Sequence, residues 1–114
     1  GTTLAYTITN AGGANGSDSR WKTDVENITG ALDKIGQLQG KTFLMNGDPK
    51  RQMGFIAQEV KGVCPEVVVV QEEDPDQWHF LQYDKITALL CEGIKELMGE
   101  VTALKARVAA LEAA

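Results

Sequence analysis

From Tyr83 to Leu111 the chain carries an unbroken heptad pattern. Tyr83, Thr87, Leu90, Ile94, Leu97, Val101, Leu104, Val108 and Leu111 follow one another at alternating spacings of four and three. Thr87 alone interrupts an apolar stripe. Such a repeat held over so many turns places one stripe along a helix, and the stripe is buried by winding helices together. At about 1.5 Å per residue the helix spans roughly 40 Å. The remaining body is too small to cover that length, so the pattern predicts a bundle of chains rather than a helix folded back on its own body.

With Tyr83 as d, the a positions are Thr87, Ile94, Val101 and Val108, and the d positions are Leu90, Leu97, Leu104 and Leu111. Glu100 at g faces Lys105 at e, and Arg107 at g faces Glu112 at e, when neighbouring helices run parallel. β-branched a residues with Leu at d favour two strands. Met98 at e, with alanines at 103, 106, 109 and 110, widens the apolar face toward three or more.

A chain of 114 residues allows one domain plus this appendage. The 16 acidic and 11 basic residues give a net charge of -5, which disfavours nucleic acid and anionic membrane as partners. There is no apolar run long enough to span a bilayer, and no basic-then-apolar leader at the start. Cys64 and Cys91 read as buried free thiols. With a single His they make a poor metal site, and no cofactor is expected.

Leu4, Tyr6 and Ile8 alternate as in a strand, and Gly12, Gly13 and Gly16 then erase the pattern. This segment looks like the end of something upstream. Asp24 is positioned to cap a helix running through Val25, Ile28, Leu32 and Ile35, weakened by Gly30. Strands are expected at 41–45, 67–70 and 78–83, a turn at Asn46-Gly47-Asp48-Pro49, a short helix within 53–63, and an acidic turn at 71–77. Asp84 is expected to cap the long helix. The fold class is therefore α+β: a small helix-and-strand body, then a long C-terminal helix forming a coiled coil.

The chemistry-bearing residues lie at the Gly-rich boundary, in Ser17-Asp18-Ser19-Arg20-Trp21-Lys22-Thr23-Asp24. A serine and a lysine five apart carry little signal by themselves, and a solvated turn is the plainer reading. Four blocks in order change the odds: SDSRWKTDVENI, ALDKIGQLQGKTF, GFIAQEVKGVCPEVV and YDKITALLCEGIKEL. Together they resemble the C-terminal intramolecular chaperone domain of phage tail spikes and tail fibres, the endosialidase type of peptidase family S74. The likeness runs from Ser17 to the end of the chain.

The resemblance implies a homotrimer that assists folding of an upstream β-rich fibre and then cuts itself off. Carried to this sequence, the scissile bond is Gly16–Ser17, Ser17 is the nucleophile and Lys22 the dyad lysine. Trp21 stands where the family often has a smaller aliphatic residue. Residues 1–16 become the end of the passenger fibre, 17–82 the chaperone body and 83–114 the coil. Assembly takes place in the host bacterial cytoplasm, with the passenger destined for the virion tail. The chemistry requires a base to take the Ser17 proton, and a lysine does so when desolvation or a cationic neighbour favours its neutral form. Arg20 is either such a neighbour or a salt-bridge partner. Asp18 either orients the turn through backbone N–H groups or is a solvated turn residue. Glu59, His79 and Trp78 read as structural. Two other functions fit the same sequence: a trimerisation tip that is never cleaved, and a receptor-binding tip.

Overall fold

The computed structural model describes residues 14–114; the strand expected at Leu4–Ile8 lies outside them. After a 3-10 turn at Ser19–Trp21, the elements are α1 (Ala31–Gln37), β1 (Lys41–Leu44), β2 (Arg51–Gly54) and α2 (Ala57–Lys61). A second 3-10 turn (Pro65–Val67), β3 (Val68–Val70), β4 (His79–Leu81) and α3 (Tyr83–Ala113) complete the chain. The fold is α+β, with a small strand-bearing body and a long C-terminal helix.

The strands form two separate antiparallel pairs. Lys41 faces Gly54 and Leu44 faces Arg51 in the first hairpin, whose turn contains Asn46-Gly47-Asp48. Gly47 has φ 83, a left-handed conformation that glycine adopts without a Cβ penalty. Val68 faces Leu81 and Val70 faces His79 in the second, closed by the acidic segment 71–77. Met53, expected in a helix, lies in β2. The strand expected over 67–70 starts one residue late because Pro65 opens a 3-10 turn through Val67. Tyr83, expected to end a strand, begins α3.

The helix expected from Asp24 does not form there. Asp24 has φ 55 and Gly30 has φ 65, both left-handed, and α1 begins only at Ala31. Gly30 does more than weaken the helix: its left-handed backbone marks the helix's starting boundary. Gly30 offers no side-chain cap. Instead Glu96 of α3 supplies one from 65 residues away, its Oε2 accepting from Ala31 N at 2.6 Å. A carboxylate on the first N–H groups satisfies donors that the helix itself leaves open.

The core is thin. Ala31, Val60, Cys64, Val67, Ile86 and Leu89 are buried, ringed by Ile35, Leu38, Phe55, Val63, Val68 and Leu81. On α3 the buried residues are Ile86, Leu89 and Gly93, a face distinct from the heptad stripe. Gly93 lets α1 approach: a Cβ there would fall on the Ile35 side chain. Tyr83 locks the helix start onto the first hairpin. Its hydroxyl accepts from Phe55 N at 3.0 Å, and its ring stacks on Phe55 with centroids 6.2 Å apart. Gly54 leaves room for that hydroxyl.

Cys64 is buried, as expected, and burial pushes its thiol pKa up, helped by Glu66. Cys91 is exposed, not buried, because it lies off the face of α3 that meets the body. Both are free thiols. Asp84 sits inside the first turn of α3 rather than at its cap, which is Gln82.

Candidate site at the Gly16–Ser17 junction

The sequence around Ser17 folds by strictly local means. Asp18 is extended and caps the 3-10 turn Ser19–Trp21, its Oδ1 accepting from Arg20 N at 2.9 Å. Trp21 N donates to Asp18 O at 3.1 Å and Lys22 N to Ser19 O at 3.2 Å. This turn reverses the chain, so the side chains at positions 17 and 22 meet. Lys22 Nζ donates to Ser17 Oγ at 2.6 Å. A short polar residue that caps through its own side chain is what such a turn needs.

Arg20 forks onto the same carboxylate. Its Nε reaches Asp18 Oδ1 at 3.0 Å and its Nη2 reaches Asp18 Oδ2 at 2.8 Å. Of the two roles open to Arg20, the geometry is that of the salt-bridge partner. Of those open to Asp18, it is that of turn organiser. The Arg20 side chain, then its backbone N–H, then the charge of Lys22 hold the Asp18 carboxyl below its ordinary pKa, and Asp18 in turn raises that of Arg20. This pair faces solvent, so its worth lies in turn geometry more than in stability. Ser17, Lys22 and Trp21 are exposed as well.

The junction has one further tie. Asn15 Nδ2 donates to Asp84 Oδ2 at 3.0 Å, joining the residue before Gly16 to the first turn of α3. Neither residue was expected at the site. Asp84 reads in sequence as a helix cap. Partners 69 residues apart leave no local signal.

The expected seam residues all lie on α3. Leu90, Ile94, Leu97, Val101, Leu104, Val108 and Leu111 range from 42% to 74% exposed in the single chain. Tyr83, the first of the stripe, is 48% exposed although its hydroxyl is engaged. His79 Nδ1 lies 2.8 Å from Gln77 O, and Glu59 occupies the first turn of α2. Trp78, read as structural, is 58% exposed beside β4 and lies outside the core.

Two comparisons bear on this arrangement. Residues 17–69 match the family model described as chaperone of endosialidase. The chain is also 30% identical over 104 residues to the long tail fiber protein Gp37 of Salmonella phage S16, an alignment covering 84% of this chain and 14% of that protein. The likeness thus concerns a small part of a much longer relative. The matched residues 17–69 lie on an α+β body that continues into a long exposed helix, so this body is what resembles the chaperone-of-endosialidase family.

Proposed function

We propose that the chain is an intramolecular chaperone which trimerises through α3, assists assembly of an upstream phage fibre segment, and releases itself by a single cut at Gly16–Ser17. The observation that carries the reading is the 2.6 Å contact between Lys22 Nζ and Ser17 Oγ at the first residue of the family match. The tail-fibre likeness supports the identity of the passenger, and residues 1–16 are its end. The coil seam is the exposed stripe of α3. A parallel trimer is the state that the family resemblance implies, and the g-to-e pairs of opposite charge suit parallel helices. Three chain ends held in register reduce the cost of bringing three passengers together.

The chemistry follows from the contact. Ser17 Oγ attacks the Gly16 carbonyl carbon as neutral Lys22 takes the hydroxyl proton. The Gly16 C–Ser17 N bond breaks, the Ser17 nitrogen receives a proton, and Gly16 is left esterified to Oγ. Water then hydrolyses that ester, giving a Gly16 carboxylate and a free Ser17 hydroxyl. Gly16 places no side chain over its own carbonyl, which eases the approach. In the single chain the dyad faces solvent.

The test is a time course of the passenger-fused protein at several pH values, read by gel and intact mass. Ser17→Ala and Lys22→Ala abolish the cut while leaving the trimer whole. Cleavage by the wild-type protein accelerates as pH rises, because only a neutral amine accepts the proton. Cutting of Ser17→Ala at the wild-type rate would leave a non-cleaving trimerisation tip as the function.

A further inference from the structure

We infer that Asn15 and Asp84 form a positioning clamp for the scissile peptide, with Asp84 holding the side of Gly16 that Lys22 does not reach. The inference rests on the reading of Gly16–Ser17 as the cleaved bond. Asn15 Nδ2 donates to Asp84 Oδ2 at 3.0 Å. Two residues later, Ser17 Oγ accepts from Lys22 Nζ at 2.6 Å. The chain is thus held on both flanks of Gly16, and only the backbone of a glycine lies between the two anchors.

Glycine is the residue with the most backbone freedom, so the direction of the Gly16 carbonyl depends on its neighbours. The local turn fixes Ser17 and Lys22 but exerts no hold on Asn15. Among the described residues, the Asn15–Asp84 pair is the hydrogen bond that joins residues 14–16 to another element. Attack by Oγ needs the carbonyl carbon presented at close range and at the right angle, and small misplacements are costly. Asp84 is well supported for this task. It lies in the first turn of α3, beside Tyr83, which is itself locked to Phe55 by a 3.0 Å hydrogen bond. A carboxylate is also favoured at a helix start. Asp84 and Asn15 are positioning residues and take no proton from the reacting atoms.

The experiment measures the rate of cutting at Gly16–Ser17 in the passenger-fused chain, with assembled mass and thermal melting recorded for each variant. Asp84→Ala slows cleavage roughly tenfold or more, by loss of orientation. Asp84→Asn loses the same negative charge at the helix start but keeps an oxygen that accepts from Asn15. It therefore melts like Asp84→Ala and cleaves close to the wild-type rate. Asn15→Asp sets two carboxylates against each other and slows the cut. Asn15→Asp combined with Asp84→Asn exchanges donor and acceptor and restores it. If Asp84→Ala fails to assemble, Asn15→Ala removes the donor from outside α3 and shows the same slowing.

The clamp is overturned if Asp84→Ala and Asn15→Ala cleave at the wild-type rate, if Asp84→Asn is as slow as Asp84→Ala, or if the exchanged pair stays slow. Ser17-dependent cutting that ignores positions 15 and 84 defeats the clamp alone. A wild-type protein left uncut, or cut equally well as Ser17→Ala, defeats the self-cleavage reading and the clamp together.

Discussion

The two halves of α3 carry the same heptad stripe in opposite surroundings. In the first half, Ile86, Leu89 and Gly93 are buried against the body while Leu90 and Ile94 on the stripe stay exposed. In the second half no residue is buried: Leu97, Val101, Leu104, Val108 and Leu111 are all at least 42% exposed. The first half is held by tertiary contacts with α1, by Tyr83 on Phe55 and by Glu96 on Ala31. The second half has only its own hydrogen bonds. A solitary helix of that length is marginal in water, because nucleation is costly and propagation gains little per residue. Within a single chain, then, the two faces of one helix differ. One face builds the domain, and the stripe beside it stays exposed.

The largest expected effect removes the second half's proposed partner. Leu104→Asn or Val101→Asn places an unpaired polar group in the seam. The assembled mass in sedimentation equilibrium should fall from trimer toward monomer. An unchanged trimer mass would mean that the far half of α3 is not the association surface, and the contrast between the halves would lose its meaning.

Glycine at two positions offers the next test. Gly93→Leu drives a side chain into Ile35, where even a Cβ has no room. Overpacking of this kind costs about 1–3 kcal/mol and should lower the melting temperature of the body. Gly99 has nothing within 4 Å of an added Cβ. Gly99→Ala should therefore act in the opposite direction, stabilising by up to about 1 kcal/mol through helix propensity. Equal signs for the two would show that the halves of α3 do not differ as described.

Glu96 stands at the border between them. Glu96→Ala removes the carboxylate that caps α1 across the fold. By analogy with lost N-caps it should cost about 0.5–2 kcal/mol, read as a shift of the denaturant midpoint. Faster hydrogen exchange should appear at Ala31 and Leu32, with little change beyond Leu104.

The smallest effect concerns the local turn at the junction. Asp18 has its pKa lowered in the folded chain, chiefly by the Arg20 side chain. The sign follows from linkage: the Asp18–Arg20 contribution is fully present above the unfolded carboxylate's pKa and is lost as pH falls through the lower folded value. The turn should hold through neutral and mildly acidic pH and loosen only below the ordinary carboxylate range. Carboxyl-carbon NMR of Asp18 should show that low midpoint, and Arg20→Ala should move it upward. An Asp18 midpoint indifferent to Arg20→Ala would remove the turn-organising role.

Ser17 and Lys22 were legible in the sequence only through the family resemblance, because a serine and a lysine five apart carry little signal by themselves. Their meeting is nonetheless local: Asp18 caps the three-residue turn Ser19–Trp21, which returns Lys22 to Ser17. The heptad stripe was legible directly, since spacing along a helix fixes which residues share a face. Local reading failed at 24–30, where apolar residues at helical spacing suggested a helix. The left-handed backbone at Asp24 and Gly30 starts α1 later instead.

What the amino-acid order determined by itself was therefore the heptad face of α3 and the alternation of strand and turn around Gly47. Tertiary structure alone decided that α3 has a second buried face at Ile86, Leu89 and Gly93, that Glu96 caps a helix 65 residues earlier, and that Asp84 reaches Asn15. The physical reason is the range of the interactions. Helical period and turn capping act within a few residues. A carboxylate's choice of partner across the fold depends on which elements the thin core brings side by side.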